Sequence, residues 1–321
     1  MSDIWSTLPI PATVAHAPVL LVPLPHESVL SIQGPDSEKF LQGQSTADFR
    51  EVTPGTSRLG CLCNLKGRAT LSFRAVNWLD SYLLVMDQAL RESARTTLQK
   101  YIIFSKAQIS LPDVAVFGMI GEEAEAEIRR QFGNCPASTD DVMTVEDAAI
   151  IRLPGSGRFL LLMKAESLTA QWENLSSRLP IGTLNAWRLA QIRAGECQVL
   201  AAGAEQFQPQ ELNLQELNGI SYNKGCYTGQ EIIARLYFRG KLKQWAHRFA
   251  VAAMEAPPVN APLVNAEGQT AGHIVLAAEA GDGQVELLAI TRHDQQSGLK
   301  LAGGSKELIP LPLPYTVTVR G

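Results

Sequence analysis

Between Asn223 and Arg235 the chain reads Asn-Lys-Gly-Cys-Tyr-Thr-Gly-Gln-Glu-Ile-Ile-Ala-Arg, and here its residue types can do the most chemistry. Cys226 becomes a nucleophile and a soft ligand once it loses its proton. Thr228 and Glu231 have the spacing of a capping box ahead of the apolar residues Ile232, Ile233 and Leu236, and Gly240 closes the run. This pattern predicts a helix from Gly229 with Thr228 as its N-cap. Cys226 then lies two residues before the cap, near the positive end of the helix dipole and its unpaired N–H groups. Lys224 adds a second positive charge, and both effects favour thiolate over thiol. Gly225 and Gly229 let the backbone approach a ligand closely. An arbitrary cysteine is more often buried and inert. A lysine, two glycines and a helix start around this one point instead to a functional thiol.

Other chemistry-bearing residues are sparser. Cys61 and Cys63 are spaced so that both face one side of a strand. They can be read as a metal or cluster pair with Cys226, or as structural thiols. The structural reading is favoured, because no further Cys or His lies nearby in sequence. The five histidines show no ligand spacing. There is no phosphate-binding glycine loop and no nucleophile elbow. Arg235, Arg239, Lys241 and Lys243 form a basic patch, either a solvated face or a meeting point for a polyglutamate tail or an RNA phosphate.

The elements that must position these residues read as an α+β mixture up to about Gly240. Pro35 opens a short helix carrying Phe40 and Leu41. Ala69–Val76 and Ser81–Asp87 have strand composition around a polar turn. Leu90, Ala94, Leu98 and Tyr101 share one helical face. Val114–Ile120 precedes a helix over Glu122–Phe132, and Ile150–Leu153 and Arg158–Met163 flank the turn Pro154-Gly155-Ser156-Gly157. Leu168, Trp172, Leu175 and Leu179 mark a further helix, and Leu184–Ala194 another that stops at Gly195. After Gly240 the texture changes to short strands, at His247–Ala253, Gly272–Ala277, Val285–Arg292 and Tyr315–Arg320, separated by Pro- and Gly-rich turns. That suggests a small antiparallel barrel or sandwich. The predicted division is therefore 1–240 and 241–321.

Length and composition agree. The 321 residues suffice for two or three cores. With 45% hydrophobic and 19% charged residues the chain has the composition of a folded protein rather than a disordered one. No apolar run reaches the ~18 residues of a membrane span, and the interrupted apolar stretches up to Pro25 argue against a signal peptide. Acids outnumber bases 32 to 28, a net charge of −4, which argues against a broad grip on nucleic acid but not against a local basic pocket. Five cysteines fit a reducing compartment better than a disulfide framework, so a cytoplasmic location is expected.

The run Lys224-Gly225-Cys226-Tyr227-Thr228-Gly229-Gln230-Glu231 resembles the signature of the YgfZ-type folate-binding proteins. These are relatives of the glycine-cleavage aminomethyltransferase, or T-protein, and are linked to tRNA modification and to maintenance of iron–sulfur enzymes. Gly34–Asp48, Cys63–Arg68 and Phe207–Leu214 are similar to further segments of that family, so the resemblance spans about Ser31 to Gly240. It implies two interleaved folate-cradling α+β domains and a C-terminal antiparallel β-barrel. It also implies tetrahydrofolate or a one-carbon derivative as ligand. Trp187, Gly225, Tyr227, Gly229, Gln230 and Arg235 would be its contacts, with Cys226 and Lys224 at the chemistry and no resident metal. An indole face at Trp187 suits stacking on a pterin, although a core tryptophan is the alternative. Two positions depart from the family pattern. Glu27 stands near a second folate-site tryptophan, and Arg193 replaces a glutamate before Ala194-Gly195, where it cannot accept hydrogen bonds.

The leading expectation is an accessory protein that binds tetrahydrofolate and uses the Cys226 thiol to support iron–sulfur cluster assembly or repair, and thereby tRNA modification. Its partners would be iron–sulfur enzymes or assembly factors, with no membrane. The alternative is a folate-dependent aminomethyl or one-carbon transferase, which needs a carboxylate beside the reacting nitrogen; Asp87 is the nearest candidate. A direct nucleic-acid-binding module is disfavoured by the acidic balance.

Overall fold

The computed structural model describes residues 5, 8 and 10–318. The chain forms two compact units. One comprises the described residues of Met1–Gln42, Asp48–Arg58 and Phe73–Trp187, and the other Gly43–Ala47, Leu59–Ser72 and the described residues of Arg188–Gly321.

The first unit contains a seven-stranded sheet. Its order is β1 (Thr13–Val14), β12 (Ile181–Gly182), β2 (Leu20–Pro23), β8 (Val114–Ile120), β11 (Arg158–Lys164), β10 (Ala148–Arg152) and β9 (Val142–Val145). The pairings of β12 with β1 and β2 are parallel and the others antiparallel. β8 and β11 are near-continuous apolar runs because both of their faces are covered. Ala115, Phe117 and Met119 of β8 join Phe159, Leu161 and Met163 of β11 under two helices, α3 (Ala124–Phe132) and α4 (Ala165–Arg178). α4 delivers Leu168, Trp172 and Leu175 to this core at helical spacing. α3 ends at Gly133, whose φ of 80° makes the left-handed cap that stops the helix.

A five-stranded sheet runs β4 (Arg58–Cys63), β5 (Ala69–Trp78), β6 (Ser81–Asp87), β3 (Glu27–Gln33) and β7 (Gln108–Ser110), and the division between units falls inside β4 and β5. Trp78 pairs with Ser81 across a two-residue turn, Leu79-Asp80, with φ of 58° and 51°. Positive φ at both positions gives the twist a tight hairpin needs. The short helix predicted after Pro35 is α1 (Ser37–Gln42), and α2 (Arg91–Ile102) follows β6. α2 buries Ala94 and Leu98, but Tyr101, expected on the same face, is exposed in the last turn. α5 (Leu184–Arg193) is followed by Gly195 in the left-handed conformation, as the sequence predicts.

In the second unit, α6 (Gln230–Arg239) precedes a six-stranded antiparallel sheet. The order is β17 (Lys300–Leu301), β14 (Pro262–Val264), β15 (Thr270–Gly281), β16 (Gln284–Arg292), β13 (Gln244–Ala252) and β18 (Ile309–Leu311). Its inner face buries Phe249, Val251, Ile274, Val285, Leu287 and Ala289. Register shifts in β15, at Ile274/Leu276 and Glu279/Gly281, help to curl it. The expected closed barrel is corrected here: the sheet is a curled half-barrel whose edges, β17 and β18, are not paired with each other. The chemistry of the edge explains this. β18 contains Pro310 and runs into Pro312 and Pro314, none of which has an N–H to extend the ladder. No strand forms over Tyr315–Thr318, and the rest of the strand expected there, residues 319–320, lies outside the described residues. Among the described residues no helix is long and apolar enough to cross a membrane.

Candidate functional site

The segment that carries Cys226 is tied down from both sides within the second unit. Thr46 accepts a hydrogen bond from the Cys61 N–H at Oγ1 (3.0 Å) and donates from the same hydroxyl to the Gly219 carbonyl (2.6 Å), while the Ser221 N–H donates to the Thr46 carbonyl (2.9 Å). Lys224 Nζ donates to the carbonyls of Ser45 (2.8 Å) and Ala47 (2.5 Å) and lies 5.0 Å over the Tyr227 ring. Lys224 and Tyr227 are buried, whereas Gly225 and Cys226 between them are exposed. A Cβ on Gly225 would point into open space. The thiol is thus presented at the surface by a short step between two buried anchors. The lysine expected beside it spends its hydrogen bonds on backbone carbonyls.

The helix start also differs from its sequence reading. α6 begins at Gln230, Gly229 is its N-cap with φ of 83°, and no side chain caps it. The Thr228/Glu231 capping box does not form. A side-chain cap needs extended backbone, and Gly229 is left-handed because it lies against the turn after β4. A Cβ there would sit 2.6 Å from the Asn64 carbonyl and 3.1 Å from Cys63 Cβ. Gly229 therefore serves a close backbone approach, though to the protein's own chain. The Gln230 N–H donates to the Tyr227 carbonyl (3.1 Å), Gln210 Nε2 donates to the Ile233 carbonyl (2.8 Å), and Arg235 is exposed on the helix.

Cys61 and Cys63 do share a strand face, with their sulfurs 3.5 Å apart. The hydrogen bond with Cys61, and then burial, push the Cys63 thiol well up. Burial, with Glu196 adding, does the same at Cys197, and burial followed by Glu125 raises Cys135. Among the described residues no group of three or more His, Cys, Asp or Glu side chains gathers to hold a metal ion, so Cys226 does not complete a set with that pair. Burial, with the nearby Cys63 and Cys61 contributing, raises the Tyr227 phenol, whose hydroxyl has no protein partner. Gln210 Oε1 and Asn213 Oδ1 are likewise buried without one.

Trp187 belongs to the first unit. Its indole is 3% exposed and carries the Arg158 guanidinium over the ring, 4.9 Å from the centroid. Gly118 makes room for it, since a Cβ there would fall 2.2 Å from Trp187 Cζ3. Asp87, offered for the transferase alternative, caps a turn by accepting from the Ala89 N–H (2.9 Å). Arg193 has a use of its own. It donates to Glu286 Oε1 (2.8 Å) while Arg248 donates to Glu286 Oε2 (2.6 Å). Burial works to raise the Glu286 carboxyl, and the two guanidinium groups outweigh it and hold it below the usual range. Sequence reasoning missed the rings around α6. Tyr222 stacks on Tyr237 with centroids 3.5 Å apart, and both meet Phe238 edge-on. The adjacent aromatic pair Tyr237-Phe238 before Arg239 was the available signal.

No protein-family profile matches the chain. The arrangement of its elements defines the class: an α+β fold of the aminomethyltransferase T type. The glycine cleavage system aminomethyltransferase T from Bartonella henselae superposes with a TM-score of 0.75 at 18% identity, over 93% of this chain and 86% of that one. Heterotetrameric sarcosine oxidase from Corynebacterium sp. U-96, in complex with pyrrole 2-carboxylate, aligns at 15% identity over 49% of this chain and 81% of that one, with a TM-score of 0.32.

Proposed function

We propose that the protein binds tetrahydrofolate or a one-carbon derivative and uses the Cys226 thiol as an accessory factor for iron–sulfur enzymes, those that modify tRNA included. The observation that carries this reading is the exposed Gly225-Cys226 step between buried Lys224 and Tyr227, in a chain with the aminomethyltransferase T fold. The resemblance of Lys224–Glu231 to the YgfZ-type signature supplies the ligand and the clients. The chemistry of the surroundings fits a polar heterocycle. Tyr227, next to Cys226, has a buried hydroxyl without a protein partner, and a folate offers both N–H donors and carbonyl acceptors. In this reading Lys224 is a positioning residue that fixes the thiol loop. Gly229 and Gln230 fix the helix start, and Arg235 is free to meet a glutamate carboxylate. Trp187 enters through the resemblance, and a ligand ring that stacks on the indole has to displace Arg158.

Anaerobic calorimetric titration with tetrahydrofolate tests the ligand, with saturable binding expected. The same sample with the glycine-cleavage carrier protein tests the transferase alternative. Folate-dependent ammonia release would replace the accessory reading with that enzyme, whereas absence of folate binding would overturn both.

A further inference from the structure

The exposed side of α6 and the loop after it carry a group of side chains of which the folate proposal uses Arg235 alone. Phe238 is 65% exposed, a large apolar ring held out in water. It is not loose: Tyr237 meets it edge-on at 4.9 Å and 87°, and Tyr222 at 6.2 Å and 76°. The two tyrosines are stacked on each other, and Tyr222 is pinned by its hydroxyl, which donates to Gln215 Oε1 (3.1 Å). Arg235 and Arg239 are exposed on the same helix, one helical turn apart, ~6 Å along the axis, and Lys241 and Lys243 are exposed in the segment that follows it.

Several arginines elsewhere are matched to carboxylates: Arg130 to Glu127, Arg193 and Arg248 to Glu286, Arg292 to Asp294. Among the described residues none of Arg235, Arg239, Lys241 and Lys243 makes an ion pair or a side-chain hydrogen bond. Residues 230–243 hold these four cations against one acid, Glu231, in a chain of net charge −4. Four unpaired cations within five residues of a braced, exposed aromatic ring ask for a ligand that is anionic and has flat faces.

We propose that this face binds a short single-stranded nucleic-acid segment, one base stacking on Phe238 and the flanking phosphates meeting Arg235, Arg239, Lys241 and Lys243. Base–aromatic stacking beside a cationic track is how sequence-tolerant single-strand sites work. The sequence neighbours of Phe238 also favour this occupant over an acidic protein. The core of a protein interface is poor in charge around its aromatic anchor, whereas the chain within five residues of Phe238 carries four exposed cations. The acidic overall balance excludes a long electrostatic grip but leaves a site a few nucleotides long.

The test is fluorescence anisotropy of the intact chain with a fluorescein-labelled oligouridylate of about 12 nucleotides, at low and moderate salt. A duplex of equal length and an oligoglutamate peptide serve as comparison ligands. Saturable binding of the single strand is expected. Phe238→Ala should weaken it by about tenfold or more. The double variant Arg235→Gln/Arg239→Gln should weaken it and flatten the salt dependence, by roughly 0.7 in slope for each phosphate left without its cation. Because all three positions are exposed, circular dichroism should confirm an unchanged fold. Absence of binding, indifference to Phe238→Ala, or equal binding of duplex or oligoglutamate would each overturn the proposal, the last in favour of an acidic protein partner.

Discussion

The Lys224 ammonium lies 5.0 Å over the ring of Tyr227, and the same nitrogen donates to the carbonyls of Ser45 and Ala47, so the residues on either side of Gly225-Cys226 are locked to each other and to a distant part of the chain. A cation buried this way is held by two charge-assisted hydrogen bonds and a π face. The loop it closes leaves one thiol outside.

That arrangement makes Cys226 the first thiol to react. Cys61, Cys63, Cys135 and Cys197 are buried, and burial or neighbours raise three of them, Cys63, Cys135 and Cys197, away from the reactive thiolate. Limited alkylation at neutral pH followed by peptide mapping should label Cys226 at least about tenfold faster than any other cysteine. Preferential labelling of Cys61 or Cys197 would count against Cys226 as the most reactive thiol.

Lys224→Met keeps the length of the side chain but removes its donors. The carbonyls of Ser45 and Ala47 then lose their partner in a buried place, which costs about 1–3 kcal/mol. Urea unfolding should show a lower midpoint with an unchanged slope. An unaltered midpoint would mean that water replaces the ammonium, and that the lysine serves something other than the loop.

Acid should destabilise the half-barrel through His247. Burial, with His293 nearby, pushes this imidazole down to about 4 from its ordinary 6.5. Its Nε2 has no partner, so the protonated form gains nothing in the folded state. Between about pH 6.5 and 4 the unfolded chain binds the proton and the folded one does not, so stability falls as pH drops through that window and is fully present above it. At ~1.4 kcal/mol per pH unit of displacement, the loss from this group approaches about 3 kcal/mol. Comparing chemical unfolding at about pH 7 and pH 4.5 for the protein and for His247→Asn isolates the contribution. Equal pH dependence in the two would assign the acid sensitivity to the carboxylates.

Sequence and structure agree where local pattern decides. The apolar runs of β8 and β11, the spacing of Leu168, Trp172 and Leu175, and the stop at Gly195 are all readable, because continuous burial, helical period and left-handed glycine leave direct traces in residue type. What escapes depends on residues distant in sequence. Thr228 and Glu231 have capping-box spacing, yet the turn at Asn64–Gly67 presses on Gly229 and selects a left-handed cap. Lys224 reads as a partner for the thiol, but its carbonyl partners lie some 180 residues away, 179 for Ser45 and 177 for Ala47. The ring Tyr222 brings to Phe238 is equally invisible, since stacking across a loop has no period.

The last prediction concerns the thiol itself. If the protein only carried folate, Cys226→Ser would be nearly harmless, because serine is close in size and the site is exposed with open space at Gly225. A hydroxyl, however, is a weak nucleophile near neutral pH without a dedicated base. It is also a poor soft ligand for iron and cannot climb the thiol oxidation ladder. The serine variant should therefore fold and bind tetrahydrofolate with unchanged affinity, yet fail to support iron–sulfur enzyme activity in cells. The measurement is complementation of a deletion strain, scored by a cluster-dependent tRNA-modifying enzyme, with folate affinity determined in parallel on the purified variant. Full complementation would sink the thiol mechanism and leave a folate-binding scaffold. Loss of folate binding in the serine variant would instead move Cys226 from the chemistry to the ligand contact.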